Sequence, residues 1–330
     1  MKILVTGAAG FVGFSLIKKL TDQGYDVIGL DNFSNYYSVE YKKLRLSELD
    51  IKVQKDITQL DLINKDEVSE YLQKEKPNCV IHLAAQAGVR IPPTDNWKYV
   101  SSNLIGFQNL LQGVIDLKIP NFLYASSSSV YGNTNSSPFV ESEQGLKPVS
   151  FYGATKLCNE VLAETSVRGT ETRARGLRFF TVYGPWGRPD MAYFRILAAT
   201  KGDYVFNLNG DGNLRRDFTY IDDVTSSIIE LNRELTQHPN GFSDVVNIGG
   251  GSPKSINELI SMIEKVSGRK IKMSYAPKFE SDVKETFASS LYLNSLIGSK
   301  PETSLQNGVE SLMNWALSEH ISTKLKQWIE

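Results

Sequence analysis

Lys2-Ile3-Leu4-Val5-Thr6-Gly7-Ala8-Ala9-Gly10-Phe11-Val12-Gly13 opens the chain. An apolar run of strand length leads straight into glycines at positions 7, 10 and 13, and Phe14 to Gln23 carries helical periodicity that stops at Gly24, a residue type suited to the position after a helix end. Strand, glycine turn and helix in that order form a phosphate-binding unit. Glycine lets the backbone approach a pyrophosphate, and the N-terminal end of the helix meets its charge. The G-x-x-G-x-x-G spacing differs from the commoner G-x-G-x-x-G, so a glycine turn that merely packs a helix on a strand competes with this reading. Asp31 weighs against that competitor. It ends the second predicted strand, 18 residues after Gly13, where an acid accepts hydrogen bonds from ribose hydroxyls and repels a 2′-phosphate. No arginine follows in Asp31-Asn32-Phe33-Ser34, which favours NAD over NADP, with Asn32 counted in the same site. Asp56, placed just past a third strand, reads equally as a cap on the adenine amino group, with Ile57 beside it, or as a helix N-cap.

Outward from this unit, apolar strand runs alternate with helical stretches. The predicted strands are 2–6, Asp26–Leu30, Ile51–Gln54, Cys79–Leu83 and Asn121–Ala125. Continuous apolar strands separated by helices read as a parallel sheet covered on both faces. Gly184-Pro185-Trp186-Gly187-Arg188-Pro189 is a loop, Phe218–Ile221 and Val245–Ile248 read as returns to the sheet, and the tail from Ser255 is mainly helical. The expected fold class is α/β: a Rossmann-type doubly wound parallel sheet with a smaller mixed α/β C-terminal substrate-binding lobe. The sheet domain spans 1–180 with returns at about 216–250, and the lobe spans 181–215 and 251–330.

Composition excludes several classes. A formal net charge of −1 gives no electrostatic footprint for nucleic acid or an anionic membrane. No apolar run approaches the roughly 18–20 residues of a spanning helix. Met1 leads directly into the first strand, so no signal peptide is expected. Two cysteines, Cys79 and Cys158, and three scattered histidines make neither a metal site nor a disulfide framework. A cytoplasmic protein is expected.

The reacting groups lie in the middle of the chain. Tyr152 and Lys156 stand four residues apart, on one helix face if the segment is helical, and the serine tract 126–129 lies about 25 residues upstream. A phenol near pKa 10 is a poor base at neutral pH, so Lys156 and a positive nicotinamide ring are expected to lower it by about 3 units. Tyr152 then takes a hydroxyl proton as hydride leaves the adjoining carbon, and Ser127 holds the reacting oxygen. In isolation these residues read as a packed aromatic and a solvated lysine. Between a glycine loop and a serine-ended strand they read as a catalytic set.

The glycine loop, His82-Leu83-Ala84-Ala85, Ser101-Ser102-Asn103-Leu104, Ser126-Ser127-Ser128-Ser129-Val130-Tyr131-Gly132, Tyr152 with Lys156, and Arg215-Arg216-Asp217-Phe218 together resemble the extended short-chain dehydrogenase/reductase family, in particular its nucleotide-sugar epimerases and dehydratases. The resemblance implies that NAD stays bound and is regenerated in each cycle. It also implies that Ala84, Ala85, Asn103 and Tyr183 line the cofactor site, that Lys156 binds the nicotinamide ribose as well, and that Arg216 reaches the nucleotide diphosphate. A homodimer through a helical bundle is implied too, although periodicity at 101–117 and 153–167 does not separate such an interface from ordinary core.

Within that family, the 4,6-dehydratases carry an Asp-Glu pair where Ser128 and Ser129 stand, and the decarboxylases that make UDP-xylose carry Glu at the second position, so both activities are disfavoured. The run Arg178–Met191, with Ala87-Gly88-Val89-Arg90, closely resembles that of UDP-glucuronate 4-epimerases, and Thr181 replaces the Asn usual in enzymes for neutral hexoses. The resemblance therefore implies a UDP-sugar substrate with a C5 carboxylate. A guanidinium fork suits that group, from Arg188 or Arg90, with Thr181 as a hydroxyl donor. Oxidation at C4 gives a β-keto acid prone to lose carbon dioxide, and Ser128, Ser129, Thr181 and Arg188 are expected to hold the carboxylate out of alignment. Phe206 and Asn207 are candidates to stack on and hydrogen-bond uracil, with core packing equally open for Phe206. The segment Phe279–Val283 departs from the family's Pro-Gly-Asp-Val pattern. The competing readings are a 4-epimerase of another UDP-hexose, such as UDP-glucose or UDP-N-acetylglucosamine, and a catalytically silent NAD sensor.

Overall fold

The computed structural model describes the whole chain apart from residues 90, 135, 203, 280, 281 and 330. Its first half is a run of alternating strands and helices: β1 (Lys2–Thr6), α1 (Phe11–Asp22), β2 (Asp26–Asp31), α2 (Val39–Ser47), α3 (Ile51–Lys55), β3 (Ile57–Gln59), α4 (Lys65–Glu75) and β4 (Cys79–His82). It continues through α5 (Asn96–Tyr99), a π-helical turn (Val100–Ile105), α6 (Gly106–Asp116), β5 (Asn121–Ser127), α7 (Phe151–Val167) and β6 (Arg173–Phe179). The seven-stranded sheet has the order β3-β2-β1-β4-β5-β6 followed by β10 (Ser243–Ile248), all parallel. The apolar strands are buried on both faces: α4 and α6 cover one and α1, with α9 (Ile221–Leu235), the other. The order reverses between β1 and β4, and ligands of such sheets bind in the crevice at that point.

Helix α1 starts earlier than its periodicity suggests, because the Gly10 carbonyl already accepts from Phe14 N at 3.0 Å. It ends with Gly24 at φ +80°. Three expectations are corrected. Ile51–Gln54 is not a strand but lies in the single-turn helix α3, whose start is fixed by the Asp50 carboxylate accepting from Lys52 N at 2.8 Å. The third strand follows it, which makes Asp56 the residue that closes α3 and pairs its carbonyl with Gly29 N at 3.0 Å. It is neither past the strand nor a helix N-cap. Arg215–Tyr220 (β9) does not return to the large sheet; of the two expected returns only β10 does.

Strand β9 instead joins β7 (Thr181–Tyr183) and β11 (Pro253–Ser255) in a three-stranded sheet. Buried Asp217 holds it there, its carboxylate accepting from the backbone N–H groups of Gly250, Gly251 and Ala288 at 2.8–3.0 Å. The remaining elements are α8 (Ala192–Ala199), the strand pair β8 (Phe206–Asn209) with β12 (Met273–Ala276), α10 (Ile256–Ser267), α11 (Leu291–Ile297) and α12 (Leu305–Leu317). No helix among the described residues is long and apolar enough to cross a membrane.

Candidate active site

The glycine loop lies at the crevice between β1 and β4. Gly7 has φ +70°, and a Cβ there would come within 2.8 Å of Ala84 N; a Cβ on Gly13 would meet the Gly7 carbonyl at 2.1 Å. Only glycine permits both approaches. The loop after β4 is ordered from behind: Thr6 Oγ1 lies 2.7 Å from His82 Nδ1 and accepts from Ala84 N at 3.2 Å. Burial pushes the His82 imidazole down to about 3, so the ring is neutral. The Asp31 carboxylate accepts from Ala9 N at 2.9 Å and Phe33 N at 2.7 Å, which fixes an acid at the lip of the loop. Asn32 is tied to Asp61 at 3.0 Å and to Ser34 N, and Ile57 opens β3 opposite Gly29. A pyrophosphate cradle with an acid at the ribose position fits a dinucleotide.

Asn103 ties the neighbouring loop to the helix that carries Tyr152. Its amide accepts from Gln86 N at 2.8 Å and donates to the Gln86 carbonyl and to Thr155 Oγ1, while Asn159 donates to its carbonyl. The residue clamps the 84–88 loop, adjoining Ala84 and Ala85, to α7, and Thr155 donates in turn to the Tyr152 carbonyl at 2.8 Å. The Tyr183 side chain is fully buried among Tyr193, Phe218 and Tyr220, its hydroxyl against the Ser304 carbonyl. That corrects its expected place at the cofactor: the ring is core.

Serine 150 caps α7 by accepting from Gly153 N and so orients the first turn, which carries Tyr152. Lys156, one turn on, is 1% exposed. It donates to the Ala125 carbonyl at 2.8 Å and lies 5.8 Å from the Tyr152 ring centre. Ser127, at the end of β5, hydrogen-bonds the Tyr152 hydroxyl and also accepts from Ser129 N at 3.1 Å. The expected catalytic set is thus assembled. Burial raises the Tyr152 pKa above its ordinary value, against lowering by Arg188 and by the Ser127 hydrogen bond. Burial also penalises the Lys156 ammonium and pushes it down to about 8, opposed by the charge of Glu160. The ammonium is lost as pH rises through about 8, so kcat is expected to fall on the alkaline side of that value. A pH–rate profile flat from pH 7 to 10 would rule out a requirement for the Lys156 charge.

Register brings the remaining polar groups to the same edge. Ser127 is paired with Phe179, so Thr181, two residues on, stands beside the turn that carries Ser128 and Ser129; all three are partly exposed. Arg188 faces this edge from the 184–190 loop, and its charge reaches both Tyr152 and Tyr99. It is gripped by Asp190, with Nε–Oδ1 at 3.0 Å and Nη2–Oδ2 at 2.5 Å. Burial would raise the Asp190 carboxyl, yet Arg188 holds it below the usual range.

Toward the nucleotide end, Arg216 donates to the Val283 carbonyl at 3.0 Å and lies 4.0 Å from Asp282. Phe206 is 3% exposed and part of the core, which corrects its proposed stacking on a base; alternation along β8 leaves Asn207 outward. Arg90, and Glu280 and Ser281 of the 279–283 segment, lie outside the described residues.

Sequence reasoning missed three supports. Fully buried Arg45 donates to the carbonyls of Ala9, Trp186 and Gly187 at 2.8–3.1 Å and to the Tyr37 hydroxyl. Glu160 and Arg178 form a buried two-point pair beneath the serine strand, with Ser126 on the same carboxylate. Asp217, inside a motif read for its arginines, is structural. None has a local signature, since the partners are distant in sequence or are backbone groups.

The model of the NAD dependent epimerase/dehydratase family matches residues 3–249. The chain is 42% identical over 330 residues to protein CapI of Staphylococcus aureus, covering 96% of this chain and 98% of that protein. It is 37% identical over 314 residues to a UDP-glucuronate 4-epimerase of Thermodesulfobacterium geofontis, covering 95% of each. Among solved structures, the UDP-glucuronic acid 4-epimerase of Bacillus cereus in complex with UDP-glucuronic acid and NAD superposes with a TM-score of 0.88 at 34% identity, covering 99% of both chains.

Proposed function

The chain belongs to the NAD dependent epimerase/dehydratase family, and on that footing we propose that it interconverts UDP-glucuronate and UDP-galacturonate by NAD-dependent 4-epimerisation. One observation carries the choice of substrate: Arg188 is held by Asp190, which accepts from the Tyr36 hydroxyl, Tyr36 packs on Gly88, and the Gly88 carbonyl accepts from Tyr99, whose ring lies 6.1 Å from that of Tyr152. The reacting carbon of an acid sugar held at Tyr152 therefore has a guanidinium within electrostatic reach. Hydroxyls at Ser128 and Ser129 in place of acids, with the Thr181 hydroxyl beside them, suit holding a carboxylate and not eliminating water.

The cradle formed by Gly7, Gly10, Gly13 and Asp31 holds the cofactor, with Ala84, Ala85, Asn32 and Ile57 around it. Bound there, NAD would supply the acceptor for a hydride from C4 and the donor for its return to the opposite face. Tyr152 takes the C4 hydroxyl proton and gives it back at the end of the cycle. Ser127, already on the phenol, steadies the oxygen as its bond to carbon becomes a carbonyl. Lys156, pinned to the Ala125 carbonyl, keeps a cation under the phenol. Arg216 and Asn207 serve the nucleotide. The lobe 181–215 with 251–330, which carries Asn207 and abuts Arg216, is the substrate-binding unit.

The active protein is a homodimer. Trp97, Ile105, Phe151 and Val161, exposed apolar residues on α5, the π-helical turn and α7, form the face that pairs; a protomer mass by light scattering would exclude it. It works in the cytoplasm, where its two unpaired thiols stay reduced, and cell fractionation checks this. Its product suits a glycosyl-transfer step in polysaccharide synthesis.

Purified protein incubated separately with UDP-glucuronate, UDP-glucose and UDP-N-acetylglucosamine, with products resolved by proton NMR, tests the activity. UDP-galacturonate from the first substrate alone is expected. Turnover confined to a neutral or N-acetylated sugar would transfer the same catalytic set to a different substrate, and NAD binding without turnover would indicate a sensor.

A further inference from the structure

The guanidinium proposed to receive the substrate carboxylate already holds one. Asp190 occupies both edges of the Arg188 fork that face it, at 3.0 and 2.5 Å, which is the two-point geometry an incoming carboxylate would adopt. Tyr36 donates its hydroxyl to the same Asp190 carboxylate at 3.1 Å, and its ring lies 5.8 Å from the Arg188 carbon. The 87–89 segment rests on this cluster: Gly88, at φ +84°, comes so close that a Cβ there would lie 2.2 Å from the Tyr36 hydroxyl. Behind Asp190 lies an open cavity of about 650 Å³, whose walls include Tyr36, Pro189, Asp190 and Arg195. Among the described residues Arg195 is its one cationic lining side chain, and it spends Nε on the Tyr204 hydroxyl at 2.9 Å.

We propose that Asp190 is a carboxylate placeholder: it neutralises Arg188 while no acid sugar is present, and the substrate's C5 carboxylate displaces it into the cavity towards Arg195. The inference rests on the acid-sugar reading and deepens it by naming the residue that sets the threshold for occupying Arg188. The exchange is one carboxylate for another, so the charge around the guanidinium is conserved and no bare cation is left in the cleft. A neutral sugar has no group to drive the exchange and leaves the Arg188–Asp190 pair closed. A residue that merely steadied Arg188 would improve substrate binding. A placeholder competes with it. The two roles therefore predict opposite signs when Asp190 is removed.

Calorimetric titration of the NAD-loaded protein with UDP-glucuronate, UDP-glucose and UDP separates them. Asp190→Asn, which keeps the shape and a partner for Tyr36, and Asp190→Ala are expected to bind UDP-glucuronate about threefold to fivefold tighter than the natural chain, the scale of one partly exposed ion pair. Their Kd for UDP-glucose and UDP stays within about twofold. Arg195→Gln is expected to weaken UDP-glucuronate binding in the natural chain and to have no effect on the Asp190→Asn background. Equal or weaker UDP-glucuronate binding by both Asp190 variants, with UDP binding intact, overturns the placeholder and leaves the acid-sugar reading standing. If the natural chain does not prefer UDP-glucuronate to UDP-glucose, that reading fails and the placeholder falls with it.

Discussion

Replacing Tyr152 by Phe is expected to lower kcat for UDP-glucuronate by about 10³-fold, within the range of a positioned general acid–base, while the Kd for the substrate stays within about threefold. The ring packs beside Tyr99, with centres 6.1 Å apart, and that contact survives the substitution. So do the cap by Ser150 and the Lys156 bond to the Ala125 carbonyl, neither of which uses the phenol. What is lost is one oxygen, the acceptor for the C4 hydroxyl proton. Ser127 cannot replace it, since a serine hydroxyl without a base beside it is a far weaker proton acceptor. Burial raises the phenol's pKa and Arg188 lowers it, so a positive nicotinamide ring, with NAD bound, would add to Arg188 in favouring the phenolate. Turnover by NMR and binding by calorimetry on the same preparation check this. A kcat within tenfold of the natural chain would remove Tyr152 from the reaction.

Arg188→Ala carries the second large effect. The expected loss is about 10²-fold in kcat/KM for UDP-glucuronate, the cost of truncating one partner of a hydrogen-bonded charge pair, with little change in the Kd for UDP-glucose. The loss has two parts. The carboxylate forfeits its two-point partner, and Asp190, released from Arg188 but still facing the cleft on the Tyr36 hydroxyl, repels it. Arg188→Lys restores charge but not the fork and should recover only part of the activity. A second consequence follows from the chemistry of a β-keto acid. With the carboxylate free to turn into line with the C4 carbonyl, carbon dioxide leaves, and a UDP-pentose joins the epimer among the products. An unchanged epimer-to-pentose ratio in the NMR spectrum would show that Arg188 does not govern the carboxylate's orientation.

The parts of this molecule legible in its sequence are those set by local rules. Gly7 and Gly13 announce close backbone approaches, Tyr152 and Lys156 share a helix face by spacing alone, and β1, β2, β4 and β5 are apolar runs, whereas β6, with arginines at 173, 175 and 178, was not among the predicted strands. The third strand was not legible in Ile51-Lys52-Val53-Gln54, because Ile51 and Val53 alternate as a strand would, while only Val53 is buried. The Asp50 cap was the signal for a helix there. Phe206 illustrates a different limit: alternation along β8 predicts that neighbours face opposite ways but not which face meets the core. Arg45 and Asp217 were invisible for a third reason. Their partners are mostly main-chain groups, up to 142 residues away for Arg45, and a carbonyl or an N–H has no letter in the sequence. The same holds for Asn103, whose letter stood out but whose role as a clamp came only from what folding put beside it.

The Arg45 contacts have a bearing on redesign. One side chain from α2 grips the cofactor loop at Ala9 and the recognition loop at Trp186 and Gly187, so the two loops share a single fastening. Exchanging the recognition loop to admit another sugar then has a natural seam. Positions from 188 onward, including the Arg188–Asp190 pair, lie beyond the fastening and are free to be swapped, whereas a graft that begins before 188 would also shift the loop on which the dinucleotide rests.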